Sequence, residues 1–98
     1  TRYATEVPYK VMELCFESME VIKEMAAKGN PNSVTDAGVG ALCARSAVFG
    51  AYLNVRINSS GLKDKAFVEK ILKDGQALVD NTTAAEIEIL KIVDTKIK

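Results

Sequence analysis

The residues best suited to chemistry gather in one short turn, residues 29–36. This segment contains two amides and a carboxylate, Asn30, Asn32 and Asp36. A carboxylate can transfer protons, and an amide can hydrogen-bond the edge of a heteroaromatic ring. The same residues also have a structural explanation, because asparagine is a common turn residue and Ser33 followed by Asp36 is a capping-box pattern. The pattern leaves both a helix cap and an acid/base role open for Asp36.

Other catalytic signatures are missing from the sequence. There is no histidine, no GxSxG, no phosphate-binding glycine loop and no Cys/His cluster, so no metal site is expected. Cys15 and Cys43 are far apart and are predicted to be free, buried thiols. Free thiols and the lack of a visible signal peptide favour a cytoplasmic protein.

Composition limits the class of protein. Apolar residues make up 48% of the 98 residues and charged residues 27%, the balance of one folded domain. The sequence contains 13 basic and 13 acidic residues, so its formal net charge is zero. The chain therefore has no overall positive charge that would attract nucleic acid. The most apolar stretch, residues 37–55, is interrupted by Arg45 and Asn54, which argues against a membrane span.

Apolar spacing predicts three helices that would position the turn. They cover residues 8–28, 34–57 and about 63–98, unless the third breaks near Gly75 or Asn81. We therefore expect an all-α protein, an antiparallel helical bundle of about three helices with a long C-terminal helix. A helix of roughly 35 residues is about 50 Å long, too long for a compact globule of this size. This predicts that the bundle forms part of a larger helical dimer or oligomer.

The second predicted helix is rich in glycine and alanine, which indicates a close neighbour. Asp36 and Asn54 fall on one side of this helix, along a smooth stripe that could admit either a flat ligand or another helix. Arg45 and Arg56 share the opposite side with Tyr52. These two arginines could hold the anionic tail of a ligand or form an ion pair across a subunit contact.

A family resemblance adds to these observations. The segment GNPNSVTDAGVGALCAR at residues 29–45, with GAYLNVRIN at residues 50–58 and ATEVP at residues 4–8, closely resembles the formimidoyltetrahydrofolate cyclodeaminase family. Members have a longer helical domain whose earlier half carries a PGGGS-like segment, which is absent here. The resemblance implies that residues 1–98 are the C-terminal half of a cyclodeaminase-type helical domain.

The resemblance also implies an activity. The family converts 5-formiminotetrahydrofolate to 5,10-methenyltetrahydrofolate and ammonia, an ammonia-lyase type of reaction in histidine degradation and one-carbon metabolism. It implies a tetrahydrofolate derivative as substrate, no covalently bound cofactor and a cytoplasmic homodimer or larger homo-oligomer. A missing N-terminal half or a fused formiminotransferase domain would complete the enzyme, and the isolated chain is expected to be inactive.

On this resemblance, Asp36 is the candidate general acid/base. Asn30, Asn32 and Ser33 would shape the pterin site. The remaining substrate-binding candidates are Arg45, Asn54, Arg56 and Asn58. Two alternatives stay open: a methenyltetrahydrofolate cyclohydrolase on the same scaffold, in which water replaces N10 as nucleophile, and a non-catalytic helical oligomerisation module.

Overall fold

The computed structural model describes residues 2–97, except for the side chain of Pro31, and these residues form three helices. They are α1 (Arg2–Lys28), α2 (Pro31–Ser59) and α3 (Lys65–Ile97), and no strand occurs among the described residues. The predicted all-α fold is confirmed. Residues 1 and 98 of the predicted domain, and so the last residue of the predicted third helix, lie outside the described residues.

The three helices lie side by side in a bundle 52 Å long and 17 × 15 Å in cross-section. The connection between α1 and α2 is only two residues long, so these helices form an antiparallel hairpin. Gly40 lies against Ile22 and Asn58 hydrogen-bonds Ala4, which fixes the register of the hairpin. Helix α3 returns antiparallel to α2, with Gly38 packed against Val93.

The first helix begins at Arg2, so the predicted start at Pro8 was wrong. Pro8 lies inside α1 and has no N–H to donate to the carbonyl four residues earlier, at Ala4. The side chain of Asn58 donates to that carbonyl oxygen instead, with 2.9 Å between Nδ2 and O. A hydrogen bond from α2 thus allows the helix to continue through the proline.

The second helix begins at Pro31, three residues before its predicted start. Proline suits a first helical position, where a free N–H is not needed. Gly29 separates the helices as expected, and its N–H donates to the carbonyl oxygen of Met25 at 2.8 Å. Its φ angle is not positive, but a Cβ there would lie 2.5 Å from that oxygen. Glycine therefore permits a close backbone approach at this turn.

The third helix is continuous through Gly75 and Asn81, with 33 residues. The inference that its length requires an outside partner was wrong, because α1 has 27 residues and α2 has 29, and these cover most of α3. The helix passes Tyr52 closely, since a Cβ at Gly75 would lie 2.5 Å from the tyrosine ring.

Two apolar clusters fill the bundle, one near the hairpin turn and one towards the other end. The first contains Met19, Ala26, Val34, Ala37, Ala41, Ala44, Ile89 and Val93, and the second contains Met12, Val48, Ala51, Val55, Ile71 and Val79. The members from α2 are all alanine or valine. Small side chains let α1 and α3 pack closely on α2, which explains the composition on that part of its surface.

Three further properties bear on function. None of the helices in the described part is long and apolar enough to cross a membrane. Between residues 2 and 97, no three His, Cys, Asp or Glu side chains come together in a way that could hold a metal ion. Both cysteines are free as predicted, but Cys15 is only half-buried and Cys43 is exposed. The prediction that both thiols are buried was wrong, because the core near Cys43 lies on the other side of α2.

Candidate functional site

The turn that precedes α2 is organised by Asn30. Its Oδ1 accepts hydrogen bonds from the backbone N–H groups of Asn32, at 2.9 Å, and Ser33, at 3.2 Å. The backbone of Asn30 is extended, as expected for a residue that caps a helix N-terminus. The hydroxyl of Ser33 lies 3.3 Å from the carbonyl oxygen of Asn30. Two of the three predicted pterin-binding residues therefore have a structural role at this cap.

Asp36 is not part of the cap. With Asn30 as the capping residue, Asp36 falls in the second turn of α2, beyond the free N–H groups of the first turn. The predicted capping box of Ser33 and Asp36 was therefore wrong. The Asp36 side chain is exposed and makes no hydrogen bond or ion pair within residues 2–97. Its carboxylate is available to a ligand or to another polypeptide.

Asn54 and Asn58 lie far from Asp36, at the other end of α2. Asp36 and Asn54 are separated by about 27 Å along the helix axis at 1.5 Å per residue. The two asparagines border a surface groove of about 430 Å³ between α1 and α2, with Ala47 and Ala51 also in its lining. The single chain therefore does not bring Asp36 together with Asn54 and Asn58.

The two arginines of α2 have different surroundings. Arg45 Nε donates to Oε2 of Glu86 on α3 at 2.5 Å, and the guanidinium lies 5.4 Å from the centre of the Phe49 ring. The prediction of an ion pair across a subunit contact is therefore wrong for Arg45, whose carboxylate partner lies within the chain. Arg56 is exposed, with its guanidinium 6.0 Å from the Tyr52 ring. Both remain predicted contacts for an anionic tail, and only Arg45 is held by a carboxylate.

Glu86 was not predicted from the sequence. Only 8% of its surface is exposed, and a buried carboxylate requires a charged or hydrogen-bonding partner. Its position gives a signal, because Thr82, Glu86, Ile89 and Val93 follow the buried spacing of α3. A glutamate in an apolar register indicates a buried ion pair, but the sequence does not identify Arg45 as its partner.

A second groove, of about 410 Å³, lies between the start of α1 and the start of α3. Tyr9 and Phe67 contribute its aromatic surface, and the carboxylates of Glu13 and Asp74 lie at its border. Burial, followed by the charges of Asp74 and Glu13, raises the pKa of Tyr9. None of the predicted site residues lines this groove.

Comparisons with known proteins show what the chain is similar to. Residues 1–77 match the family model described as formiminotransferase-cyclodeaminase. The chain is 37% identical over 96% of its length to a methenyltetrahydrofolate cyclohydrolase of Methylorubrum extorquens, and the match covers 45% of that protein. It is 38% identical over 70% of its length to the rat formimidoyltransferase-cyclodeaminase, and 27% identical over 97% to the Dictyostelium discoideum protein of that name.

The matched regions are only parts of these relatives. The chain spans less than half of the cyclohydrolase, and 13% and 18% of the rat and Dictyostelium proteins. The match to the family model nevertheless covers most of the chain, including the whole of α1 and α2. This protein belongs to the formiminotransferase-cyclodeaminase family.

Proposed function

We propose that this chain forms part of an enzyme of folate one-carbon metabolism that converts 5-formiminotetrahydrofolate to 5,10-methenyltetrahydrofolate and ammonia. The observation that carries the proposal is the exposed, unpaired carboxylate of Asp36 within the family-matched segment. Asn30 provides the helix cap, so helix stability does not explain why an acidic residue occupies position 36. An acid/base role gives it a function.

The proposed chemistry requires proton transfer. N10 of the folate attacks the formimino carbon on N5, and a tetrahedral centre forms. N10 must then lose a proton, and the departing nitrogen must gain one before the C–N bond breaks and ammonia leaves. A single carboxylate can take the first proton and deliver the second, and its negative charge stabilises the amidinium-like cation that develops. We assign both roles to Asp36.

The remaining predicted residues have narrower proposed roles. The side chain of Asn32 is exposed, so we propose that it contacts the pterin while Asn30 and Ser33 hold the turn in place. Arg45 is bound through Nε, which leaves its two terminal nitrogens free to bind a carboxylate of the folate tail. Asn54, Arg56 and Asn58 complete the proposed substrate surface. We also propose a cytoplasmic location, which the two free thiols support.

A cyclohydrolase is the second candidate. It is favoured by the similarity to the Methylorubrum extorquens cyclohydrolase, which extends over 96% of this chain. The two reactions share a tetrahedral centre on the one-carbon unit and the same need for proton transfer, and differ in the attacking group. Asp36 would serve either reaction.

A chimera tests the proposal in a protein of sufficient length. Residues 1–98 would replace the matching stretch of the Methylorubrum extorquens cyclohydrolase, and the product would be assayed with both folate substrates for methenyltetrahydrofolate and for ammonia. We expect turnover by the chimera and none by the isolated chain. In the chimera, Asp36→Asn should reduce turnover about 10²- to 10⁴-fold, the usual contribution of a positioned acid/base.

The matched control is Asp94→Asn, at an exposed aspartate on α3, which should leave turnover unchanged. Near-normal activity of Asp36→Asn would reject the assignment. A folded chimera that turns over neither substrate would instead support the third alternative, a non-catalytic helical module.

A further inference from the structure

The last turn of α3 places a lysine against the connection between α1 and α2. The ammonium Nζ of Lys96 donates to the carbonyl oxygen of Ala27 at 2.5 Å and to that of Gly29 at 3.1 Å. Ala27 lies in the last turn of α1, and Gly29 is the first residue of the connection. One side chain of α3 therefore joins the end of α1 to the segment that leads into α2.

The end of α1 needs such a donor. The last carbonyl groups of a helix have no partner within the helix, and a glycine with positive φ commonly turns the chain so that later backbone N–H groups supply one. Gly29 does not have a positive φ. Lys28, the basic residue in the last turn of α1, pairs with Glu24 at 2.7 Å instead. Lys96 thus supplies a hydrogen bond from α3, and its positive charge is favourable at a helix C-terminus.

The backbone that carries Lys96 is held in place by packing. Val93, one turn earlier in α3, is buried in the cluster near the hairpin turn together with Ala26 and Ala37. Gly38 of α2 also lies against it, since a Cβ there would be 3.5 Å from the Val93 side chain. Lys96 itself is half-buried. Its hydrogen bonds therefore join segments that are anchored to the same core, and its side chain has less freedom to lose than a fully exposed one.

The hydrogen bond to Gly29 fixes how the chain enters Asn30. A peptide group is planar, so the direction of the Gly29 carbonyl also sets the direction of the N–H of Asn30. The carbonyl oxygen of Asn30 accepts from the N–H groups of Ser33 and Val34, each at 3.0 Å. Both peptide groups that flank Asn30 are thus hydrogen-bonded. Glycine is the most permissive residue, so without Lys96 the first of these groups would be free to rotate.

We infer that Lys96 is a positioning residue of the proposed folate site, an inference that rests on the proposed function. By holding the peptide group between Gly29 and Asn30, it fixes the turn from which the exposed side chain of Asn32 reaches the pterin. The lysine acts through the turn and needs no contact with the ligand. It lies outside residues 1–77, which match the family model.

The position of Asp36 should not depend on this lysine. Asp36 lies in the second turn of α2, and the residue beside it, Ala37, is only 2% exposed. Packing of α2 against the other helices therefore holds Asp36, whereas Asn32 lies in the first turn, next to the connection. Loss of Lys96 should thus weaken substrate binding more than it slows the chemical step.

Hydrogen exchange tests whether the lysine orders the turn, in the 98-residue chain without a ligand. Lys96→Met keeps most of the length of the side chain and removes its donors. The amide hydrogens of Asn32 and Ser33 should then exchange at least about fivefold faster because the cap opens more often, whereas that of the buried Ile89 should change by less than about twofold. Lys96→Arg should restore slow exchange, since a guanidinium also donates several hydrogen bonds.

The matched control is Lys91→Met, at an exposed lysine of the same helix, which should leave exchange at the turn unchanged. Equal exchange in the natural chain and in Lys96→Met would overturn the inference. An equal acceleration at Ile89 would also overturn it, because the lysine would then stabilise the whole fold rather than the turn.

Kinetics of the chimera with the cyclohydrolase test the effect on the site. Lys96→Met should raise KM for the folate substrate at least about fivefold and change kcat by less than about twofold, the pattern of a lost binding contribution. A merely structural role would lower the amount of folded enzyme, so kcat would fall and KM would stay the same. Lys96→Arg should return KM towards the natural value, and Lys91→Met should change neither constant. A fall in kcat alone would overturn the inference.

A double-mutant cycle in the chimera tests whether the lysine acts through Asn32. Asn32→Ala alone should raise KM, and the addition of Lys96→Met should raise it by less than about a further twofold, as expected for coupled residues. Independent effects that multiply would overturn this route. A folded chimera without turnover would contradict the proposed function and, with it, the role of Lys96 in the site, whereas hydrogen exchange would still show whether the lysine holds the turn.

Discussion

The two sides of the α1–α2 hairpin differ in whether their side chains have packing or hydrogen-bonding partners within the chain. Towards α3, side chains fill buried clusters, Arg45 pairs with Glu86, and Tyr52 donates to the carbonyl oxygen of Leu72. On the outer surface of α2, large apolar side chains such as Leu53 and Ile57 are more than 60% exposed. The same helix α2 contributes to both sides. Its apolar residues therefore serve folding on one side and remain available for association on the other.

This difference between its two sides indicates that α2 has the composition of a helix surrounded by protein. A helix that is apolar around its circumference is normally buried on all sides. Helices α1 and α3 cover only part of its surface, and no helix in the described residues is suited to a membrane span. The bundle therefore leaves large apolar side chains of α2 exposed, and the following predictions test each side separately.

The largest effect on folding is expected from Ile89, which is fully buried in the apolar cluster near the hairpin turn. Ile89→Ala should lower the free energy of unfolding by about 2–5 kcal/mol, from lost burial and the cavity that remains. The control is Ile87→Ala on the same helix, 51% exposed, which should change it by less than about 0.5 kcal/mol. Urea unfolding measures both, and equal effects would show that the two sides of α3 are not distinct.

The buried ion pair should give the next largest effect. Arg45→Met leaves the carboxylate of Glu86 without its partner and should lower the free energy of unfolding by about 1–3 kcal/mol. The double variant Arg45→Met, Glu86→Leu should recover much of this loss, since an apolar pair needs no compensation. A double variant as unstable as Arg45→Met would argue that packing of the arginine, rather than its charge, matters.

Replacing two of the glycines by alanine should change the stability of the fold in opposite directions. Gly75→Ala forces a Cβ to within 2.5 Å of the Tyr52 ring and should cost about 1–3 kcal/mol. Gly50→Ala on the outer surface of α2 meets nothing within 4 Å and should stabilise the fold by up to about 1 kcal/mol through helix propensity. Thermal unfolding measures both changes. If Gly50→Ala also destabilised the fold, Gly50 would have to lie against a neighbour that the three-helix bundle does not contain.

The cap at the hairpin turn should have a smaller effect. Asn30→Ala removes the acceptor for two backbone N–H groups and should lower stability by about 0.5–2 kcal/mol. Asn32→Ala is the matched control, because that side chain makes no hydrogen bond within residues 2–97. If Asn32 serves only the folate, its replacement should weaken ligand binding and leave urea unfolding unchanged.

The smallest effect concerns Lys23, which links α1 to α3 through Glu88 at 2.6 Å. The hydrogen bond and the charge of Glu88 raise the pKa of Lys23. The stabilisation is therefore present below the pKa of the unfolded chain and is lost as pH rises through the folded value. Glu88→Gln should lower the pKa of Lys23 in an NMR titration, with little change in stability because both groups are exposed. An unchanged titration would show that the pair does not persist in solution.

The sequence by itself determined the fold class and the position of the turn. Apolar spacing defines three helices, and the breakers at Gly29 to Pro31 and near Gly61 separate them, because local propensity is enough where a chain must stop being helical. The family was also evident from residues 29–58. The predicted start of α1 was less accurate, because a residue of another helix stabilises it. The side chain of Asn58 in α2 donates a hydrogen bond to the carbonyl oxygen of Ala4, and α1 therefore continues through Pro8.

Only the tertiary structure decided which polar residues are already satisfied. Position in the sequence made Asp36 a candidate cap, but the backbone of Asn30 takes that role and leaves Asp36 exposed. The pairing of Arg45 with Glu86 joins residues that are distant in the chain, so no local pattern could predict it. The exposed apolar stripe of α2 depends on the same distinction. An apolar stripe shows that a helix must be covered, and only the packed bundle shows which stripe still lacks a partner.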